Sequence, residues 1–229
     1  MIEPEAACRL LGNVYVHSVL RSWPFFALLL ASAASAENRS PAIFVVRHGQ
    51  DTDNARRVLN GRRQTHLTAL GRQQARGAAE QLRGKVIAAI YYSPLGRTRE
   101  TAQILARELG VKQLVPDVRL LERDFGVLTG RPAAEIPLIA TKTQRVGDVN
   151  YFLKAPGAES FPSTYRRAKE LLRALRSARP DPRGDIVLVT HGDTGKMLVA
   201  SARGWSWRQG LEAANLHNAE VVELAFPPR

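Results

Sequence analysis

The sequence predicts a three-layer α/β/α sandwich: a mainly parallel central sheet, helices on both faces, and a small inserted cap. Three observations carry this. Short β-branched apolar runs alternate with stretches of helical periodicity, the pattern of a parallel sheet covered on both sides. Two runs, residues 43–46 and 186–189, are apolar at every position, as strands buried on both faces must be. Both end in a histidine and a glycine, Arg47-His48-Gly49 and Thr190-His191-Gly192. Polar groups thus gather at strand carboxyl ends, where open α/β sheets bind ligands.

The elements follow in order. After the first strand, Gln50-Asp51-Thr52-Asp53-Asn54 is rich in turn formers and predicts a loop, which continues through basic Arg56-Arg57 and Gly61-Arg62-Arg63. Thr68 is the N-cap of a helix with Leu70, Ala75, Ala78 and Leu82 on its apolar face and Gly84 as its stop. Residues 86–91 form the second strand, ending at Ser93-Pro94. A helix over 95–109 closes at Gly110, with Arg97 in its first turn. Residues 111–115 are a short strand. Residues 124–160, broken by Pro132, Pro137, Gly147, Pro156 and Gly157, predict the inserted, partly helical cap. Phe161, Tyr165, Ala168, Leu172 and Leu175 mark a helix that ends near Pro180-Asp181-Pro182. The strand at 186–189 leads into a helix to about Ala202. Trp205 and Trp207 follow it as packing residues, and residues 220–226 form the last strand.

The first 36 residues read as an export segment. Arg21 precedes a short apolar block over 23–30, and Ala34-Ser35-Ala36 fits the small-x-small cleavage pattern, leaving Glu37 first in the mature chain. The alternative is an uncleaved membrane anchor, for which the block is short. Glu3 and Glu5 are unusual in an export signal, and a true start near Val14 or Val19 accounts for them. The organisation is therefore a signal over 1–36 and one domain over 37–229. Cys8 is the only cysteine, so the mature chain has no thiol for catalysis, disulfides or metal binding.

The chain has 229 residues, 45% hydrophobic and 24% charged, and carries a formal charge of +12. Removing residues 1–36 takes away two Arg and two Glu, so the charge belongs to the folded domain. Its Arg residues are scattered, with no long basic stripe and no recognition module, which argues against a nucleic-acid binder. The charge fits an anionic substrate. Arg47, His48, Arg97 and His191 lie just beyond strands or turns. Guanidiniums hold phosphoryl oxygens in a planar fork, and an imidazole is neutral, hence nucleophilic, near pH 7.

With these motifs in order, the sequence resembles the histidine phosphatase superfamily, or phosphoglycerate mutase-like family, branch 1. The resemblance rests on Arg47-His48-Gly49, Asn54, Gly61, Leu67-Thr68 to Leu70-Gly71-Arg72-Gln73, Ser93-Pro94-Leu95 with Arg97 and Thr101-Ala102, and Leu120 with Glu122 and Phe125-Gly126. It continues through Gly157 with Glu159-Ser160 and ends at His191-Gly192, spanning about 42–226. It implies a metal-independent phosphomonoesterase without a cofactor. On the resemblance, His48 is expected to be the nucleophile, Arg47, Asn54, Arg97, His191 and Gly192 to hold the phosphoryl group, and Glu122 to be the proton donor.

Two features depart from that pattern. Gln50 and Asp51 stand where the family usually has Glu followed by Thr or Ser, which removes a hydroxyl and adds a carboxylate near the phosphate. Asp51 therefore points away, pairs with Arg56 or Arg57, or has a role of its own. Asp193 is a second candidate proton donor. Glu122 is favoured because it has the Glu-x-x-aromatic-Gly setting, whereas Asp193 opens a helix, where a carboxylate complements the dipole. His66 and His217 match no functional position.

The expected substrate is a small phosphoester or a phosphorylated envelope glycan outside the cytoplasm. Membrane contact is expected only through the N-terminal segment before cleavage. A phosphoglycerate mutase is the nearest alternative, but Pro132-Ala133 replaces the Asn-Lys that mutases usually carry. A catalytically weak anion-binding protein is the alternative from another class.

Overall fold

The computed structural model describes residues 41–177, 184–213 and 216–226. The expected export segment with Cys8 and the Pro180-Asp181-Pro182 turn lie outside these residues.

Five strands make the main sheet: β1 (Ile43–Arg47), β2 (Ile87–Tyr92), β3 (Leu114–Pro116), β6 (Asp185–Thr190) and β7 (Val221–Glu223). Their order is β3-β2-β6-β1-β7, and only β7 runs antiparallel to its neighbour. The β1–β6 register pairs Arg47 with Thr190. His48 and His191 therefore leave the sheet side by side, although 143 residues separate them in sequence.

Side chains alternate across the pleat, so each strand feeds two cores. Val45 and Leu188 face helices α5 (Phe161–Ser177) and α6 (Gly192–Ala202), with Leu171, Met197 and Leu198 closing that layer. Phe44, Val46, Val187 and Val189 face α2 (Ala69–Gln81) and α3 (Gly96–Leu109) through Ala78, Leu82 and Leu105. These are the two outer layers of the predicted sandwich. Each such side chain, fully withdrawn from water, contributes roughly 1.5–3 kcal/mol.

Thr68 caps α2 as expected, accepting the Gly71 N–H at 3.0 Å, and Gly110 closes α3 in the left-handed region at φ 70°. Gly49 and Gly71 meet backbone to backbone, and a Cβ on either would overlap the other's segment. This approach locks the turn after β1 against the start of α2.

Three features differ from expectation. The loop after β1 contains a one-turn helix, α1 (Thr52–Ala55), capped by Asp51. A further helix, α7 (Trp207–Ala213), carries Trp207, whose ring stacks on Phe161 with centroids 5.9 Å apart. The 124–160 insertion holds 3-10 turns and a single short helix, α4 (Ile136–Ile139). Its main element is an antiparallel hairpin, β4 (Lys142–Val146) and β5 (Val149–Lys154), turning at Gly147 with φ 56°. Phe152 is the only residue of the hairpin that is fully buried, so its sequence lacks a strong strand signal.

Candidate active site

The site lies at the carboxyl ends of β1, β2 and β6. His48 is buried, and its Nδ1 lies 2.7 Å from the Gly49 carbonyl oxygen. A carbonyl only accepts, which assigns the proton to Nδ1 and leaves the lone pair on Nε2. Arg97 Nε donates to that Nε2 and to His191 Nδ1, both at 3.2 Å. His191 Nε2 in turn reaches Ser93 Oγ at 2.8 Å. Burial lowers the pKa of both imidazoles well below the usual 6.5, and the Arg97 guanidinium lowers it further. Both rings are neutral at pH 7.

Arg97 is wholly buried. Its Nη1 donates to the Arg63 carbonyl at 2.9 Å and to Thr65 Oγ1 at 3.2 Å, and its Nη2 donates to the Gly61 carbonyl at 2.8 Å. Arg47 donates from Nη1 to the Leu216 carbonyl at 2.7 Å, while its buried Nε has no hydrogen-bond partner among the described residues. A buried cationic donor without a partner is costly, and a bound anion would satisfy it. Asn54 Oδ1 accepts from Asn218 Nδ2 at 3.0 Å, so the Asn54 amide presents its N–H groups. Gly192 opens α6, whose positive dipole end lies at the site.

Glu122 sits on that same helix end. Its carboxylate accepts from the Arg123, Thr194 and Asp193 N–H groups at 2.8, 3.2 and 3.3 Å. Burial raises its pKa above the usual 4.5, and the neighbouring Asp193 raises it further. Asp193, the rival proton donor, is held by Arg123 Nε at 2.8 Å. Arg123 is itself enclosed, with its guanidinium 3.8 Å from the Phe152 ring centroid and 4.1 Å from that of Phe161. The structure thus brings together Arg47, His48, Asn54, Arg97, Glu122, His191 and Gly192, all anticipated from sequence.

Asp51 neither points away nor pairs with Arg56 or Arg57; it lies against Arg97, 3.4 Å from Nε. His66 pairs with Glu100 at the surface, as expected of a residue outside the site. His217 lines the cleft, which its lack of a motif match did not anticipate. Ser93, Arg123 and Asn218 were not anticipated as site residues. Only Ser93 carried a local signal, directly after β2 and within a motif already singled out.

The cleft is about 670 Å³ and opens toward the cap. Arg47, Asn54, Glu122 and Gly192 are among its lining residues. Lys196, Tyr151 and Phe152 also line it, and burial pushes the Tyr151 hydroxyl up to about 12. The volume is in the range of a small-molecule site and far exceeds what a phosphoryl group needs. Among the described residues, no group of three His, Cys, Asp and Glu is placed to hold a metal ion.

The chain is similar to known proteins in sequence and fold. The model of the histidine phosphatase superfamily (branch 1) matches residues 43–229. The chain is 36% identical over 164 residues to a Yersinia enterocolitica protein named probable phosphoglycerate mutase GpmB, covering 71% of this chain and 74% of the relative. It is 35% identical to phosphoglycerate mutase-like protein 4 of Arabidopsis thaliana, covering 70% of each. Among solved structures, a mycobacterial glucosyl-3-phosphoglycerate phosphatase superposes with a TM-score of 0.67 and 26% identity, over 81% of this chain and 90% of that one.

Proposed function

The chain belongs to branch 1 of the histidine phosphatase superfamily, and from that premise we propose that it is a metal-independent phosphomonoesterase working through a phosphohistidine on His48. The observation that carries this reading is the His48 ring, neutral and with its Nε2 lone pair directed at a pocket of fixed cations. A phosphoryl oxygen entering the pocket takes over the Arg97 Nε donor and frees Nε2. Arg47 Nε and the Asn54 amide donate to the remaining oxygens, and His191 joins them once its Nδ1, released from Arg97 Nε, takes up a proton; together they offset charge in the transition state.

Nε2 bonds to phosphorus while the ester P–O bond breaks. The leaving oxygen takes the proton of Glu122, a carboxyl that burial and the neighbouring Asp193 push toward its protonated form. Water then attacks the phosphohistidine, gives its proton to Glu122 and releases inorganic phosphate, which restores His48. No step requires a cofactor.

The substrate is a small phosphoester or a phosphorylated envelope glycan. The cleft's size supports a leaving group larger than the phosphoryl itself. The apolar block and Ala34-Ser35-Ala36 support export with cleavage near Ala36, and a membrane-anchored form is the alternative.

Hydrolysis of an aryl phosphate with and without chelator, beside His48→Ala, tests the proposal. Chelator-resistant activity abolished by the substitution supports it. A folded chain that hydrolyses no phosphoester across acidic to neutral pH sinks it in favour of an anion-binding role. The curated relatives favour a second reading, a phosphoglycerate mutase. Phosphoryl exchange between positions of phosphoglycerate that outpaces release of inorganic phosphate would favour that reading.

A further inference from the structure

Asp51 is an acidic side chain buried completely beside a phosphate pocket, where an anion opposes substrate binding. Oδ1 accepts the Asn54 N–H at 2.7 Å and caps α1. Oδ2 accepts from Thr65 Oγ1 at 2.7 Å and from Asn60 Nδ2 at 2.5 Å, and lies 3.4 Å from Arg97 Nε. Thr65 Oγ1 also takes a hydrogen bond from Arg97 Nη1, so carboxylate and hydroxyl grip the guanidinium together. The Arg63 and Gly61 carbonyls hold Arg97 Nη1 and Nη2, and Nε is the atom directed at His48 and His191.

We propose that Asp51 is a positioning residue: a buried counter-charge that fixes the Arg97 guanidinium and lowers the positive potential of the phosphoryl pocket, so that product phosphate leaves. The proposal rests on the phosphatase reading above. Other charges also act on Arg97, namely Glu122 and Asp53 as anions and Arg47 as a cation. Asp51 is the only one of these that touches Arg97 Nε, the atom bonded to the nucleophile. Its carboxylate lies within about 7 Å of His48 Nε2, close enough for its charge to act on the imidazole.

The test compares the full chain with Asp51→Asn, with Asp51→Thr, whose hydroxyl retains a capping oxygen, and with Asn60→Ala, which keeps the carboxylate and loses one of its donors. Inorganic phosphate binding is measured by titration calorimetry, alongside the pH profile for an aryl phosphate. In Asp51→Asn, phosphate binds roughly three- to tenfold more tightly and the acidic edge of kcat/KM moves roughly half to one pH unit lower. Its kcat falls. Asn60→Ala leaves the acidic edge at its parent value.

Phosphate affinity decides. Unchanged or weaker binding in a folded Asp51→Asn or Asp51→Thr overturns the proposal, and failure of both to fold overturns it by assigning Asp51 to the scaffold. Phosphate binding needs no turnover. A chain that binds phosphate but hydrolyses nothing therefore fails the phosphatase reading and still tests Asp51. A chain whose hydrolysis depends on His48, but whose phosphate affinity ignores Asp51, fails this proposal alone.

Discussion

Arg123→Leu gives the sharpest test of the polar scaffold beneath the proton donor. The guanidinium is 1% exposed and its partner Asp193 side chain 12%, with Nε and Oδ2 2.8 Å apart. Leucine fills much of the space between Phe152 and Phe161 but removes the cation hydrogen-bonded to the largely buried Asp193 carboxylate, leaving Lys196 as a more distant one. Breaking one side of such a pair costs about 3–5 kcal/mol, because the remaining charge keeps its desolvation penalty. For a domain of this size that corresponds to a fall in Tm of about 6–20 °C, at roughly 2–4 °C per kcal/mol. Pairing Arg123→Leu with Asp193→Leu removes the orphan and recovers much of the loss. A cycle of single and double variants, followed by thermal melting and urea unfolding, measures the coupling. A coupling below about 0.5 kcal/mol, the level at which independent sites add, would refute the buried-pair argument. Activity supplies a second readout. Asp193 raises the pKa of Glu122 and Arg123 lowers it. The alkaline edge of kcat/KM therefore moves up in Arg123→Leu and down in Asp193→Asn. Shifts of the same sign in both variants would show that Glu122 is not the proton donor.

Two further outcomes follow from the site. Glu122→Gln keeps most of the hydrogen-bond geometry and removes the transferable proton. Its kcat falls about 10²- to 10⁴-fold on an alkyl phosphate and far less on a nitrophenyl phosphate, whose leaving group needs no proton; equal losses on both would contradict general-acid catalysis. Stability depends on pH through the two buried imidazoles. Their folded pKa values lie below 6.5, so between those values and 6.5 the unfolded chain binds more protons. Their contribution is complete above about pH 6.5 and is lost on acidification, at up to about 1.4 kcal/mol per pH unit for each ring. Glu122, with a raised pKa, acts in the opposite sense: its contribution is present below pH 4.5 and is lost as pH rises through the folded value. Melting curves from pH 4 to 8 for the parent, His48→Asn and His191→Asn check this, with a shallower acid slope expected in each variant.

The sheet was legible because its code is local. Residues 43–46 and 186–189 are apolar throughout, and the histidine and glycine after each mark where the chain leaves the sheet. Thr68 and Gly110 announced helix ends through their own backbone chemistry. The hairpin of the cap was not legible. Most of its side chains are exposed or half-buried, so no two-residue alternation of apolar and polar types stands out. The helix at α1 was hidden for a related reason, since Asp51-Thr52-Asp53-Asn54 suits a turn and a capped single turn of helix equally well.

What sequence could not supply was the partner of each buried polar group. Asp51 is interpretable only with Arg97, Arg123 only with Asp193, and Asn54 only with Asn218, across 46, 70 and 164 residues of chain. In each case one partner lies at the proposed active site and the other holds it in place; the Asp51–Arg97 and Arg123–Asp193 pairs are buried and the Asn54–Asn218 pair is half-buried. The division has a physical cause. The groups proposed to meet substrate are brought there by strand ends and helix starts, which short motifs encode. The groups that hold them in place need only complementary charge and reach, which residues on any neighbouring element can supply. The two layers should therefore respond differently to substitution. Changes to His48 or Glu122 act first on turnover, and on stability only through its pH dependence. Changes to Asp51 or Arg123 alter stability, anion affinity and the pH profile together, because each removes a charge that both the core and the pocket experience.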